Sequence, residues 1–188
     1  MTSSTQNPPR NEAQLARQAC TSAEAFAELY RRYVQNIYRY HMAHTGNTKD
    51  AEDLTSQTFI AALEGIHSYR GSGPFVAWLV GIARRKRLLF FRNRQPELPL
   101  ELASDVPYPG PATDLAAAQR IQLQVVQRAL RQISSDRAEA ITLCLFGNLT
   151  CREAGHVLGK SEAAVKMLLS RGLQDLRERT SLALEVEP

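Results

Sequence analysis

The chain has 188 residues, 44% of them hydrophobic and 22% charged, enough apolar material for one ordinary domain or two small ones. A net charge of +4 and a pI near 9.1 suit polyanionic partners without requiring them. No run of about eighteen apolar residues exists, which excludes a membrane-spanning helix, and MTSSTQNPPRNEAQ lacks the apolar core of a secretory signal. That opening tail, residues 1–14, is expected to be disordered. Cys20, Cys144 and Cys151 are odd in number and lack paired CxxC spacing, which argues for a reducing cytoplasm and against a disulfide framework or zinc site.

From about Ala13 to Thr45 the pattern predicts one helix. Phe26, Leu29, Tyr30, Tyr33, Ile37 and Met42 line one side, with Arg31, Arg32 and Arg39 among the polar positions. Gly46-Asn47 ends it, as a pair tolerant of left-handed backbone should. Thr48 then reads as the cap of a helix from Asp50 to Ile66. Asp50, Glu52 and Asp53 fall in its first turn, where the helix dipole favours negative charge, and Leu54, Phe59, Ala62 and Ile66 are spaced to face inward. The acids suit either capping or an acidic patch for a basic partner; spacing does not choose.

The short loop HSYRGSG, 67–73, leads into a basic helix, Pro74–Arg94. Phe75, Trp78, Leu79, Ile82 and Leu89 form its apolar face, and Arg84, Arg85, Lys86, Arg87, Arg92 and Arg94 follow with no acid among them. A basic, aromatic-bearing helix suits a phosphate backbone and unstacked bases; it equally suits a core helix with a solvated basic end. Composition then changes sharply. Residues 95–114 hold Pro96, Pro99, Pro107, Pro109 and Pro111, a density that excludes a helix or a central strand and predicts a linker. Fully extended, its ~20 residues span on the order of 60 Å, or about 18 base pairs of DNA.

The second half again predicts helices. Leu115–Ile133 carries Ile121, Val125, Ala129, Leu130 and Ile133, and Ser134-Ser135-Asp136 makes a turn and cap. Arg137–Phe146 carries Ile141, Leu143, Leu145 and Phe146 before Gly147-Asn148 stops it. In TCREAGHVLGKSEAAVKMLLSRGLQDLRER, Thr150 and Glu153 form a capping box. Gly159 closes a short helix and Ser161 caps a longer one that runs to about Arg179. This is the outline of a helix-turn-helix, whose second helix enters the major groove N-terminus first. Lys160, Glu162, Lys166 and Arg171 fall on its outward face, while Val165, Leu168, Leu169, Leu173 and Leu176 pack. A plain helical hairpin within a bundle has the same outline.

In this order, FAELYRRYVQNIYRY, DAEDLTSQTFIAAL, YRGSGPFVAWLVGIARRKRLLFFRNR and LTCREAGHVLGKSEAAVKMLLSRGLQDLRE resemble a bacterial sigma factor of the extracytoplasmic-function (ECF) type in the sigma-70 family. The resemblance covers nearly everything from about residue 23 to residue 179. It implies an all-α chain: sigma domain two over 15–94, a linker over 95–114, sigma domain four over 115–180, and a tail over 181–188. It implies a transcription initiation factor, not an enzyme, that needs no cofactor or metal. Its implied partners are core RNA polymerase (beta-prime clamp and beta flap), promoter DNA and an anti-sigma factor, with no membrane insertion.

The resemblance also assigns roles. Asp50, Glu52, Asp53, Gln57 and Phe59 would dock on core polymerase. Tyr69, Arg70, Ser72, Arg84, Arg85 and Arg87 would meet the melted minus-ten strand, where a flipped base needs a pocket that offsets unstacking. Trp78 reads more readily as core. Lys160, Ser161, Glu162, Ala163, Lys166 and Arg171 would read the minus-thirty-five duplex. Several positions depart from the family pattern. Arg85 and Leu89 stand where Asn and Asp are usual, Ser56-Gln57 where Gln-Glu is usual, and Met167-Leu168 where Ser-Arg is usual. The last removes one expected DNA contact.

Two rival readings rest on fewer residues. Cys151 and His156 suggest a thiol nucleophile with a base, yet no orienting acid or oxyanion loop accompanies them. A helix-turn-helix regulator with a partner- or ligand-binding N-terminal domain accounts for the second half but leaves the aromatic-basic helix unexplained.

Overall fold

A computed structural model describes residues 10–71, 73–93 and 127–185, and every regular element among them is helical. Ser72, the proline-rich stretch, the first turns of the helix predicted from Leu115 and the last three residues lie outside the described residues. Helix α1 spans Arg10–Gln18, α2 Ala23–Thr45, α3 Thr48–Gly65 and α4 Phe75–Asn93, with a 3₁₀ turn at Ile66–Ser68. Residues 127–132 belong to α5. Helix α6 covers Ser135–Ile141 and continues as a π-helical turn, Thr142–Phe146; α7 is Cys151–Leu158 and α8 is Glu162–Glu185.

Some boundaries differ from the sequence expectation. The first helix starts at Arg10, inside the stretch assigned to the tail. It also breaks at residues 19–22, where Ser22 adopts extended backbone and its side chain accepts a hydrogen bond from Ala25 N, starting α2 afresh. The cap of α3 is Asn47 rather than Thr48: the Asn47 side chain accepts from Asp50 N at 3.0 Å. Helix α8 runs beyond Arg179 to Glu185. Elsewhere local chemistry acts as expected. Gly46 ends α2 in left-handed backbone. Thr150 and Glu153 complete the capping box of α7.

Leu29, Ile37, Leu54, Ala62, Ile66, Phe75, Leu79 and Val80 are buried where α1 to α4 pack together. Leu143, Leu149, Ala154 and Val165 of the second half join the same buried cluster, because the π-turn packs on α2 and α7 packs on α4. A second small cluster holds Ala43, Leu130 and Ile141. The buried stripes are narrower than the apolar spacing implies: Leu89, Tyr30 and Leu145 are exposed. Between α6 and α8, Arg137 donates to Asp175 at 2.6 Å.

Candidate nucleic-acid interface

The loop before α4 is built by aromatic packing. Phe75 is fully buried at the start of α4, with its ring centroid 5.4 Å from Tyr69, 5.3 Å from Trp78 and 5.8 Å from Tyr33. Tyr69 closes the turn on itself, its hydroxyl donating to Gly73 O at 2.5 Å. The ring is therefore anchored along one edge, while Arg70 beside it is exposed.

Next to this loop a groove of about 770 Å³ runs between the end of α3 and α4. Gly65 and Ser68 form one wall. Trp78, Arg85 and Lys86 form the other, and Val157 of α7 reaches one side. Trp78, expected from sequence to be core, is only partly buried and faces this groove. Gly65 stands across from it, where a Cβ would sit 3.9 Å from the indole, in ordinary contact.

The three arginines assigned to the strand have different surroundings. Arg85 is exposed. Arg84 is half-buried and donates to Glu139 at 3.2 Å, while Arg87 is buried and donates to the same carboxylate at 2.5 Å. Nothing local marks Glu139 in the sequence; only its bonds with Tyr40 of α2 and with Arg84 and Arg87 of α4 reveal it. Arg87 also donates to His44 Nδ1 at 3.2 Å. A guanidinium has no acceptor, so Nδ1 must be the accepting nitrogen and His44 is neutral. Burial first, and then the Arg87 charge, push its pKa well below the usual histidine range. His41 follows the same logic. Thr58 donates its hydroxyl to Leu54 O, so it accepts from His41 Nε2, and burial lowers that histidine to about 3.

On α3, Glu52, Asp53 and Gln57 are exposed and Asp50 is half-buried. Phe59 is not with them. It is buried on the opposite face, 4.7 Å from Tyr30 in an edge-on contact, so it belongs to the core. The helical period separates them: Phe59 falls in the same register as Thr55 and Ala62, which are also buried.

The helix-turn-helix is closely fitted. Gly159 sits in left-handed backbone (φ 65°), and Lys160 N donates to Gly155 O at 2.9 Å. Ser161 Oγ accepts from Ala164 N at 3.2 Å and starts α8. Val165 is fully buried, while Ser161, Ala163, Lys166 and Arg171 are exposed. Lys166 pairs with Glu162 at 2.8 Å, Arg152 reaches Glu162 at 3.2 Å, and Lys160 pairs with Asp136 at 3.0 Å. The Lys166 hydrogen bond, then that of Arg152, lowers the Glu162 pKa. Exposed pairs of this kind contribute little to stability and yield readily to a phosphate. Of the enzyme-like pair, His156 is exposed and Cys151 half-buried. Beside Cys151, burial pushes the Cys144 thiol up to about 12, away from the reactive thiolate.

The family model for Sigma-70 region 2 matches residues 29–97, and that for Sigma-70, region 4 matches residues 123–176. The ECF RNA polymerase sigma factor SigF of Caulobacter vibrioides is 32% identical over 142 residues, covering 72% of this chain and 73% of its own length. The chain belongs to the ECF sigma factors of the sigma-70 family. It is thus a transcription initiation factor. The ECF sigma factor BldN of Streptomyces coelicolor is 31% identical over 157 residues, 82% of this chain, which spans about 60% of that relative's length. Among solved structures, the sigma factor RpoE in complex with the anti-sigma factor NepR from Bartonella quintana superposes with a TM-score of 0.66 at 22% identity. That match covers 88% of this chain and 100% of RpoE, and it shows the shared fold. In this sigma factor α3 and the α3 and α4 walls of the groove lie within the region 2 match, and the helix-turn-helix lies within the region 4 match. No helix among its described residues is long and apolar enough to cross a membrane.

Proposed function

We propose that this sigma factor carries out initiation with three surfaces, each a set of neighbouring side chains. Asp50, Glu52, Asp53 and Gln57 on the outer side of α3 dock on the beta-prime clamp of core polymerase, and domain four (115–180) contacts the beta flap. The α3–α4 groove takes the displaced minus-ten strand. There Tyr69, Trp78 and Arg70 receive unstacked bases while Arg84 and Arg85 hold phosphates; Arg87, buried against Glu139 and His44, supports α4 instead. The start of α8 reads the minus-thirty-five duplex through Lys160, Ser161, Glu162, Ala163, Lys166 and Arg171. One observation supports this division above all: an aromatic-walled basic groove and a helix-turn-helix with exposed cations lie on separate elements of one chain. A regulator that binds only duplex has no use for the groove.

Strand separation in this reading draws on binding energy, since stacking on an aromatic is worth roughly 1–3 kcal/mol per base. The chain is thus a non-enzymatic factor working in the cytoplasm, where polymerase is. RpoE forms a complex with the anti-sigma factor NepR, and an anti-sigma partner that covers the α3 face is the counterpart proposed here.

The test separates the two nucleic-acid surfaces. Lys166→Ala with Arg171→Ala will weaken binding to a duplex minus-thirty-five fragment. It will also flatten the salt dependence by up to about 0.9 log unit for each phosphate left without its cation. Binding to a single-stranded oligonucleotide will not change. An unaltered salt slope removes both residues from the interface.

A further inference from the structure

The outward face of α8 carries an apolar side chain that the core does not use. From Glu162 to Gln174 the exposed positions are Ala163, Lys166, Met167, Ser170, Arg171 and Gln174, which recur at the three- and four-residue spacing of a single helix face. Met167 stands in the middle of that face and is 51% exposed. The two leucines after it turn inward: Leu168 packs on the main core cluster and Leu169 on the second. Among the described residues of α7 and α8 no other large apolar side chain is exposed.

The surroundings of Met167 say what would cover it. On a helix its same-face neighbours lie three and four residues away, and these are Ala163, Ser170 and Arg171. Lys166 stands beside it, held by Glu162 at 2.8 Å in an exposed pair. A face that docked on an apolar protein surface would ring the methionine with further apolar side chains, whereas flanking cations suit a phosphate backbone. Met167 also lies in the second turn of α8, within the N-terminal part that a recognition helix lays against base edges. The major groove offers one apolar group there, the C5-methyl of thymine. A helical side chain leans toward the N-terminus, so the unbranched thioether lies over the turn that holds Ala163 and adapts to a methyl group.

We infer that Met167 is a specificity residue of this sigma factor, packing on the C5-methyl of one thymine in the minus-thirty-five duplex. Lys166 and Arg171 hold the backbone on either side. Cytosine in the same place would set its N4 amino donor against a side chain that gives it only a weak acceptor. The inference rests on the reading of α8 as the duplex-facing helix.

The experiment uses the full chain bound to core RNA polymerase. A pool of duplexes randomised over the minus-thirty-five region is selected for binding, and each thymine of the recovered sequence is then replaced singly by deoxyuridine. That change removes the methyl and leaves every hydrogen-bonding group. At one thymine it should weaken binding about fourfold, the worth of one methyl-sized apolar group taken out of water. Met167→Ala should erase the difference between the two duplexes, and Met167→Leu, still apolar, should keep it. A recovered sequence without thymine overturns the inference, as does equal binding of both duplexes at every position or a loss in Met167→Ala as large as in the wild type. The Lys166→Ala, Arg171→Ala double variant separates the two readings. If it weakens duplex binding while deoxyuridine costs nothing, the methyl contact alone is wrong. If it leaves affinity and salt slope unchanged, α8 does not face the duplex and the inference falls with that reading.

Discussion

Phe75→Ala will destabilise the sigma factor by about 3–5 kcal/mol, the usual cost of deleting a fully buried phenyl ring. The loss should exceed simple transfer because the ring touches three other aromatics. Tyr33, Tyr69 and Trp78 all have centroids within 5.8 Å of it, and edge-on or tilted pairs add to area burial. The effect also reaches function. Tyr69, whose hydroxyl donates to Gly73 O, loses the ring it packs against edge-on. Strand binding should therefore weaken in the variant even at temperatures where it remains folded. Urea denaturation followed by circular dichroism, with strand binding measured below the transition, checks both parts. A loss under about 1 kcal/mol would show that the cavity collapses and that the loop does not depend on the ring.

Gly155→Val will disable duplex recognition. A Cβ at position 155 lies 2.7 Å from Lys160 O and 3.6 Å from Glu162 N, both backbone atoms of the turn, so no side-chain adjustment relieves the clash. The turn must open, at a cost of about 1–3 kcal/mol. It then loses the Lys160 N to Gly155 O hydrogen bond that sets α8 against α7. Affinity for minus-thirty-five duplex should fall more than tenfold, since a loss of about 1.4 kcal/mol already gives that factor. The α3 and α4 walls of the groove are unaltered and α7 adds only Val157 at one side, so strand binding should not fall. Equal loss on both substrates would mean that the variant has unfolded the whole shared core.

These two residues differ in how visible they are beforehand. Phe75 stands at helical spacing from Leu79 and Ile82, so its burial follows from period alone. Gly155 looks like an ordinary mid-helix glycine, and the approach of Lys160 to it is a tertiary fact. The same line divides the rest of the chain. Caps and stops at Gly46, Thr150, Gly159 and Ser161 are short-range chemistry and are readable from the residues themselves. The break before α2 is hidden because apolar spacing continues through it, although Ser22 is a good cap. The π-turn at Thr142–Phe146 has no local signature.

At the candidate site, exposure is legible for Glu52, Asp53, Gln57, Lys166 and Arg171, which sit on the polar side of clear amphipathic helices. Phe59 shares a helix with the docking acids but not their face. Arg84 and Arg87 look like members of one solvated basic run, yet Glu139 removes them from it. A cation on an amphipathic stem can turn inward wherever a distant carboxylate waits, and composition cannot show where that carboxylate lies. Trp78 fits both a core and a base-stacking reading because it is partly buried at a groove edge.

The most direct test of the account is run-off transcription with purified bacterial core RNA polymerase, with and without this protein, on a promoter fragment of its own regulon. Initiation at one defined start that depends on the protein is the predicted result. The same background transcript in both reactions, with no stable association between the protein and core polymerase, would contradict it.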